Sequence, residues 1–326
     1  MKKTALCTTL LLVLLFVLPI VGVCIGSVAI PLSTVVEAVF GTGNGSNASQ
    51  ISVFIIRNIR LPRVVCAVLA GSALALGGLV FQSVFRNPMA DSYILGVSSG
   101  ASCLIGFNML LAIGIGNTFA ALIGSICTTA MLFATAKGDH SRLLLSGIAV
   151  NFLLSALTTL TIYLGRRQLD TVLYWTMGSL SGSSWPRAAI LAAVVALSSF
   201  VLMARASVLD ILLLDDSTAI SSGLDAKVAR MLLLAMASAL TAVVVSFCGI
   251  IGFVGLMSPH FARLIIGAKH RGLIPTSMLL GAVILLLSDI LSRSIVAPSE
   301  LPIGIITSIL GAPVFLVLLR RRRNGF

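Results

Sequence analysis

Ten stretches of this chain stay apolar for 14 to 25 residues at a time, and that pattern constrains the fold more than any single motif. A helix rises 1.5 Å per residue, so about 17–25 apolar residues cross a hydrocarbon core of about 30 Å. The stretches are Leu6–Ile30, Val64–Phe85, Ile94–Ile115, Phe119–Ala136, Leu143–Leu164, Ala188–Ala204, Val228–Ile250, Phe253–Ile266, Leu273–Ile295 and Ile303–Leu319. The eighth is short and interrupted by Pro259. Charged residues are only 10% of the chain, against about 25% in soluble domains. The expectation is an all-α polytopic membrane protein of about ten spans, forming one transmembrane domain over residues 1–326.

An even number of spans puts both termini on one side, and the cations say which. Lys2, Lys3, Arg86, Lys137, Arg142, Arg205, Lys227, Arg230, Lys269, Arg271 and Arg320 to Arg323 fall on the terminal side. Arg57, Arg60, Arg63, Arg166, Arg167, Arg187 and Arg293 fall on the other. Fourteen against seven is a positive-inside bias, so both termini are expected in the cytoplasm. The net charge of +12 is thereby read as membrane orientation, with no nucleic-acid partner. The opening MKKTALCTTLLLVLLF is read as an uncleaved first span, in preference to a signal peptide or a lipoprotein signal ending at Cys24. The six cysteines are scattered without metal-ligand spacing and read as small buried residues.

Between the sixth and seventh spans lies RASVLDILLLDDSTAISSGLDAKVAR, Arg205 to Arg230, which holds four of the ten acidic residues. Apolar residues run into DDST, where Asp216 or Ser217 suits a helix cap, and Ser221-Ser222-Gly223 makes a break. Two short helices with a tight turn result. Such a hairpin is either a solvated linker or a grip for a soluble partner.

Arg57, Arg60 and Arg63 cluster in VFIIRNIRLPRVV just before the second span, against the orientation bias. They either snorkel to lipid phosphates or dock an acidic partner. Asp289, inside the ninth span, is a functional candidate by position, and Arg293 four residues on supplies an ion-pair partner on the same helical face. The segment Gly165–Trp185 is too polar to span; its helical middle, Leu169–Met177, and its GSLSG end suggest a short helix at the membrane surface. The second span breaks at Pro88 and the seventh runs into a break at Pro259, matched interruptions of two inverted-repeat-like halves that point toward a transport pathway.

Four segments also carry a resemblance. IRLPR (Ile59–Arg63), GSALALGGLVFQSVFRNPMADSYILGVSSGAS (Gly71–Ser102), GFVGLMSPHFAR (Gly252–Arg263) and ELPIGIITSILGAPVFLVLL (Glu300–Leu319) closely resemble the iron-chelate/cobalamin family of ABC importer permeases, in order and over nearly the whole chain. The resemblance implies a homodimer in the bacterial inner membrane, two cytoplasmic ATPase subunits, and a periplasmic or lipid-anchored substrate-binding protein. It implies a non-enzymatic subunit that binds no cofactor, with ATP and magnesium on the partner; the absence of a GxxxxGK[ST] loop agrees. It places ATPase coupling on Leu214, Asp215, Asp216, Ser217, Ser221, Ser222, Gly223 and Leu224. It matches Arg60, Arg63 and Arg293 to arginines that meet glutamates on the binding protein. It assigns the translocation pathway to Tyr174, Trp175, Gly178, Ser179, Gly182, Pro298 and Pro302. The implied cargo is a ferric siderophore first, haem or cobalamin next. A gradient-driven carrier using Asp289 is the alternative.

Overall fold

The computed structural model describes residues 2–26, 28–41, 50–136, 140–165, 169–214, 219, 221 and 223–323, and among these the chain is all-helical. Six helices are long and apolar enough to cross a membrane: Gln50–Val84, Asn117–Thr135, Arg142–Leu164, Trp185–Ala204, Ala226–Cys248 and His270–Ser294. Four shorter apolar helices, Thr8–Cys24, Val97–Leu110, Val254–Ile266 and Ile303–Leu316, fall on the remaining apolar stretches.

In chain order the helices are α1 (Lys2–Cys24), α2 (Leu32–Phe40), α3 (Gln50–Ile55), α4 (Leu61–Val84), α5 (Val97–Leu110), α6 (Asn117–Ala136), α7 (His140–Leu164) and α8 (Leu169–Thr176). Then come α9 (Trp185–Ala204), α10 (Ala206–Leu212), α11 (Ala226–Cys248), α12 (Val254–Ile266), α13 (His270–Ser294) and α14 (Ile303–Arg323). A π turn, Ile56–Arg60, joins α3 to α4. The second span thus begins well before Val64, and the arginine cluster sits on helix instead of in a preceding loop. Pro62 lacks the N–H that an α turn would use, and the wider π turn just before it accommodates that loss.

Helix α4 is the axis of the molecule. Twenty of its 24 residues are buried, as expected of a helix that is apolar all round. It packs against α13, α11, α12 and α9. Its small residues let neighbouring backbones approach: a Cβ on Gly71 would stand 2.2 Å from the Gly281 carbonyl oxygen of α13, and one on Gly78 only 1.9 Å from that of Gly255 in α12. The antiparallel α4–α13 pair has two ends, one at Arg63 with Arg293, the other at Ser83 with His270. The 20 residues from Arg63 to Ser83 separate them by about 30 Å of helical rise. Around this pair, α6, α7 and α9 turn large apolar residues outward, such as Phe152, Leu197 and Phe200.

Candidate functional site

At the hairpin end, α10 lies against the core through buried Ala206, Leu209 and Leu212. Polar bonds fix it there. The Asp210 carboxylate accepts from the His270 ring at Nδ1, 2.6 Å, and from the His270 backbone N–H, 3.0 Å. Arg86, at the end of α4, donates from Nε to the Leu212 carbonyl at 2.9 Å. Beyond α10, Gly223 takes φ +72°, the left-handed turn expected of the Ser-Ser-Gly break. Asp225 then caps α11, accepting the Val228 N–H at 3.1 Å. Leu214, Ser221 and Gly223 are exposed and Leu224 is half-buried, whereas Asp215, Asp216, Ser217 and Ser222 lie outside the described residues. Exposed residues following a bonded helix make a surface that a soluble subunit can hold.

At the other end the three arginines turn inward. Arg60, Arg63 and Arg293 are 6%, 6% and 3% exposed. Arg60 donates to the carbonyls of Val23, Cys24 and Val28, and Arg293 to those of Gly22 and Ile25. Gly22, Val23 and Cys24 form the last turn of α1 and Ile25 and Val28 follow it, so the cations also meet the negative end of the helix dipole. Arg63 bridges two carboxylates: Nε to Asp289 Oδ1 at 2.8 Å, and Nη1 to both oxygens of Glu300 at 2.9 Å. Arg293 Nη2 stands 2.7 Å from Asp289 Oδ2, a close ion contact without hydrogen-bond alignment. The expected docking arginines therefore present no free guanidinium at the surface. Dehydrated acceptors inside the protein claim them first, because an unpaired charge is least tolerable where water is excluded. The Asp289–Arg293 pair was legible from its i,i+4 spacing; Glu300 was not, lying 237 residues from its partner.

The residues expected along the translocation pathway meet in part at one joint. Ile303 N–H donates to the Gly178 carbonyl at 3.1 Å, Gly304 N–H to that of Met177 at 3.0 Å, and Ser179 N–H to that of Cys248 at 2.8 Å. The exit of α8, the end of α11 and the start of α14 thus share backbone bonds. Gly178, at φ +73°, sits so close that a Cβ would stand 2.4 Å from the Ile250 carbonyl oxygen. Beside the joint a cleft of about 400 Å³ is lined by Thr176, Met177, Ile250, Gly304, Ile305 and Ser308 among others. Tyr174, Gly182 and Pro298 are exposed, while Trp175, Ser179 and Pro302 are half-buried around the same meeting point. Among the described residues no group of three His, Cys, Asp or Glu side chains could hold a metal ion.

Comparison with known proteins decides the family, because the profile of the FecCD transport family matches residues 11–321. The chain belongs to the FecCD transport family. Within that family it is 42% identical over 274 residues to the cobalamin import system permease protein BtuC of Halobacterium salinarum, covering 82% of this chain and 74% of that one. It is 38% identical over 278 residues to the hemin transport system permease protein HmuU of Yersinia pestis, covering 82% and 83%. The molybdate import system permease protein MolB of Haemophilus influenzae is 32% identical over 326 residues, covering 97% and 95%. A solved inward-facing ABC transporter of the metal-chelate type superposes with a TM-score of 0.84 at 30% identity, covering 95% of this chain and 97% of that one. FecCD chains are translocating permease subunits of ABC importers, whose ATPase and substrate-binding components are separate. The gradient-driven alternative loses its footing: the relatives are ABC permeases, and Asp289 is held between two arginines.

Proposed function

We propose that this FecCD permease works as a homodimer that imports a bulky iron chelate, a ferric siderophore before haem or cobalamin. Two ATPase subunits, carrying ATP and magnesium, grip the hairpin between α10 and α11. A periplasmic or lipid-anchored binding protein delivers the chelate at the arginine end. On this reading the hairpin and both termini are cytoplasmic, as the cation bias requires. The observation that carries the proposal is the construction of the hairpin end, where α10, which leads into exposed Leu214, is bonded directly to the central helix pair. The polar exit of α8, with Ser179 and Ser181 hydroxyls 2.9 Å apart, suits a polar chelate better than an apolar macrocycle. Docking at the arginine end works by exchange: a carboxylate of the binding protein replaces half-exposed Glu300 on Arg63.

The test is reconstitution in lipid discs with the cognate ATPase and binding protein. Ferric siderophore should stimulate ATP hydrolysis above haemin, cobalamin or molybdate. Stimulation by molybdate alone would replace the cargo and leave the importer reading intact; no stimulation by any of the four would refute the cargo class.

A further inference from the structure

The polar contacts at the hairpin end form one continuous line, and His270 stands in its middle. This histidine is 0% exposed, at the first residue of α13, beneath a half-exposed aspartate. A carboxylate can only accept, so the ring proton at Nδ1 points to Asp210, with the Asp210 oxygen also taking the backbone N–H of the same residue. On the ring's far side Nε2 lies 2.7 Å from Ser83 Oγ, in the last turn of α4. Ser83 Oγ is in turn within 2.8 Å of the Leu79 carbonyl, one turn deeper in the same helix. The line therefore runs from α10 through the start of α13 into the end of α4.

A second strand runs beside it. Arg86 reaches back from the end of α4 to the Leu212 carbonyl, and does so from φ +50°, a left-handed conformation that non-glycine residues rarely adopt. Side-chain and backbone geometry at the end of α4 are both committed to α10. Next to them, Arg263 of α12 donates to the Gln82 amide oxygen, while the Gln82 amide nitrogen donates to the carbonyls of Gly255 and Leu256. The end of α4 is thus bonded to α10, α12 and α13 together.

We infer that Asp210, His270 and Ser83 are positioning residues for energy coupling, a hydrogen-bonded linkage that makes α10 move as one body with the α4–α13 pair. The inference rests on the ATP-driven reading above and names the residues by which displacement of the hairpin reaches the membrane core. Apolar contact alone would let a seven-residue helix slide. Short, directional bonds to a buried imidazole remove that freedom.

Two measurements test it. In the permease alone, hydrogen exchange across α10 should quicken about tenfold in Asp210→Ala, the loss expected when a charge-assisted bond of about 1.5 kcal/mol is removed. Asp210→Asn keeps an acceptor for the Nδ1 proton and should restore most of the protection. In the reconstituted complex, chelate imported per ATP hydrolysed should fall in Asp210→Ala. His270→Asn retains a donor near the Nδ1 position but has nothing to reach Ser83; it should lower that ratio while α10 stays protected. Unchanged exchange in Asp210→Ala would mean no linkage exists. Quickened exchange with a wild-type ratio in both variants would make the contact merely structural and overturn the coupling role. A wild-type complex that imports no chelate would instead refute the functional reading, with the exchange result still deciding the linkage.

Discussion

The two ends of the α4–α13 pair solve opposite problems with similar chemistry. At one end three guanidiniums and two carboxylates close on each other and on the carbonyls of α1, with Asp289 at 0% exposure. At the other a buried histidine hands its bonds outward to a half-exposed aspartate on a short helix. The first is a closed knot of charge that fixes helix ends to one another. The second is an open line that ends at a surface. The difference separates a cluster that closes on itself inside the protein from a line of bonds that ends at the surface.

The largest effect should come from the closed end. Asp289→Asn leaves Arg63 and Arg293 without their shared counter-charge, and breaking such a buried pair costs about 3–5 kcal/mol. Thermal unfolding of the purified permease should show it as a large fall in midpoint, whereas Glu300→Gln, at the half-exposed rim, should move it little. Equal effects would mean that the cluster is not organised around Asp289.

The middle of the pair comes next. Gly71→Ala drives a methyl against the Gly281 carbonyl, and overpacking of this kind costs about 1–3 kcal/mol. Denaturation should detect it, and the shift should add to that of Asp289→Asn if the two sites are independent along the helix.

At the hairpin, Asp225→Ala removes the cap of α11 and should cost about 1 kcal/mol. Hydrogen exchange should place that loss in the first turn of α11, leaving the arginine end untouched. A change spread over the whole molecule would erase the distinction between the ends.

Asp91, in the loop after α4, gives the smallest and oppositely signed effect. Burial pushes its carboxyl above the usual carboxylate range, against hydrogen bonds from the Ser92 N–H and hydroxyl that pull it down. A raised folded-state value means that the folded protein holds this proton longer than the unfolded chain does. The stabilisation is full below the ordinary carboxylate range and is lost as pH rises through the raised value. Asp91→Asn should therefore raise the unfolding midpoint at pH 8 and change it little at pH 4. A midpoint lowered at pH 8 would show that the charged form is the one the fold prefers.

The legible part of this molecule was its long apolar runs and its local spacing. Ten apolar runs announced ten helices, Gly223 announced its turn, and Asp289 announced Arg293, because each signal lies within a few residues of its consequence. What stayed hidden was pairing across the chain. Arg63 meets Asp289 over 226 residues and Ser83 meets His270 over 187, and no period or spacing connects them. The inward turn of Arg60 and Arg293 was hidden for a related reason. A basic cluster reads as surface until the carbonyl ends of another helix are brought beside it, and that depends on how α1 packs on α4 and α13. The hairpin stood out by its four acids, but nothing in the sequence singled out Asp210 as the one that meets His270 over 60 residues.

The most direct test of the account is a distance. Spin labels at Leu214, on the exposed hairpin, and at Ile295, just beyond α13 at the arginine end, bracket the body that the two polar ends define. With labels on one protomer of the dimer only, pulsed electron paramagnetic resonance should find one narrow distance, the same in the nucleotide-free complex and in the ATP-trapped one, with broadening only when Asp210→Ala is added. A wild-type distance that shifts between the two nucleotide states would contradict the claim that α10, α4 and α13 move together.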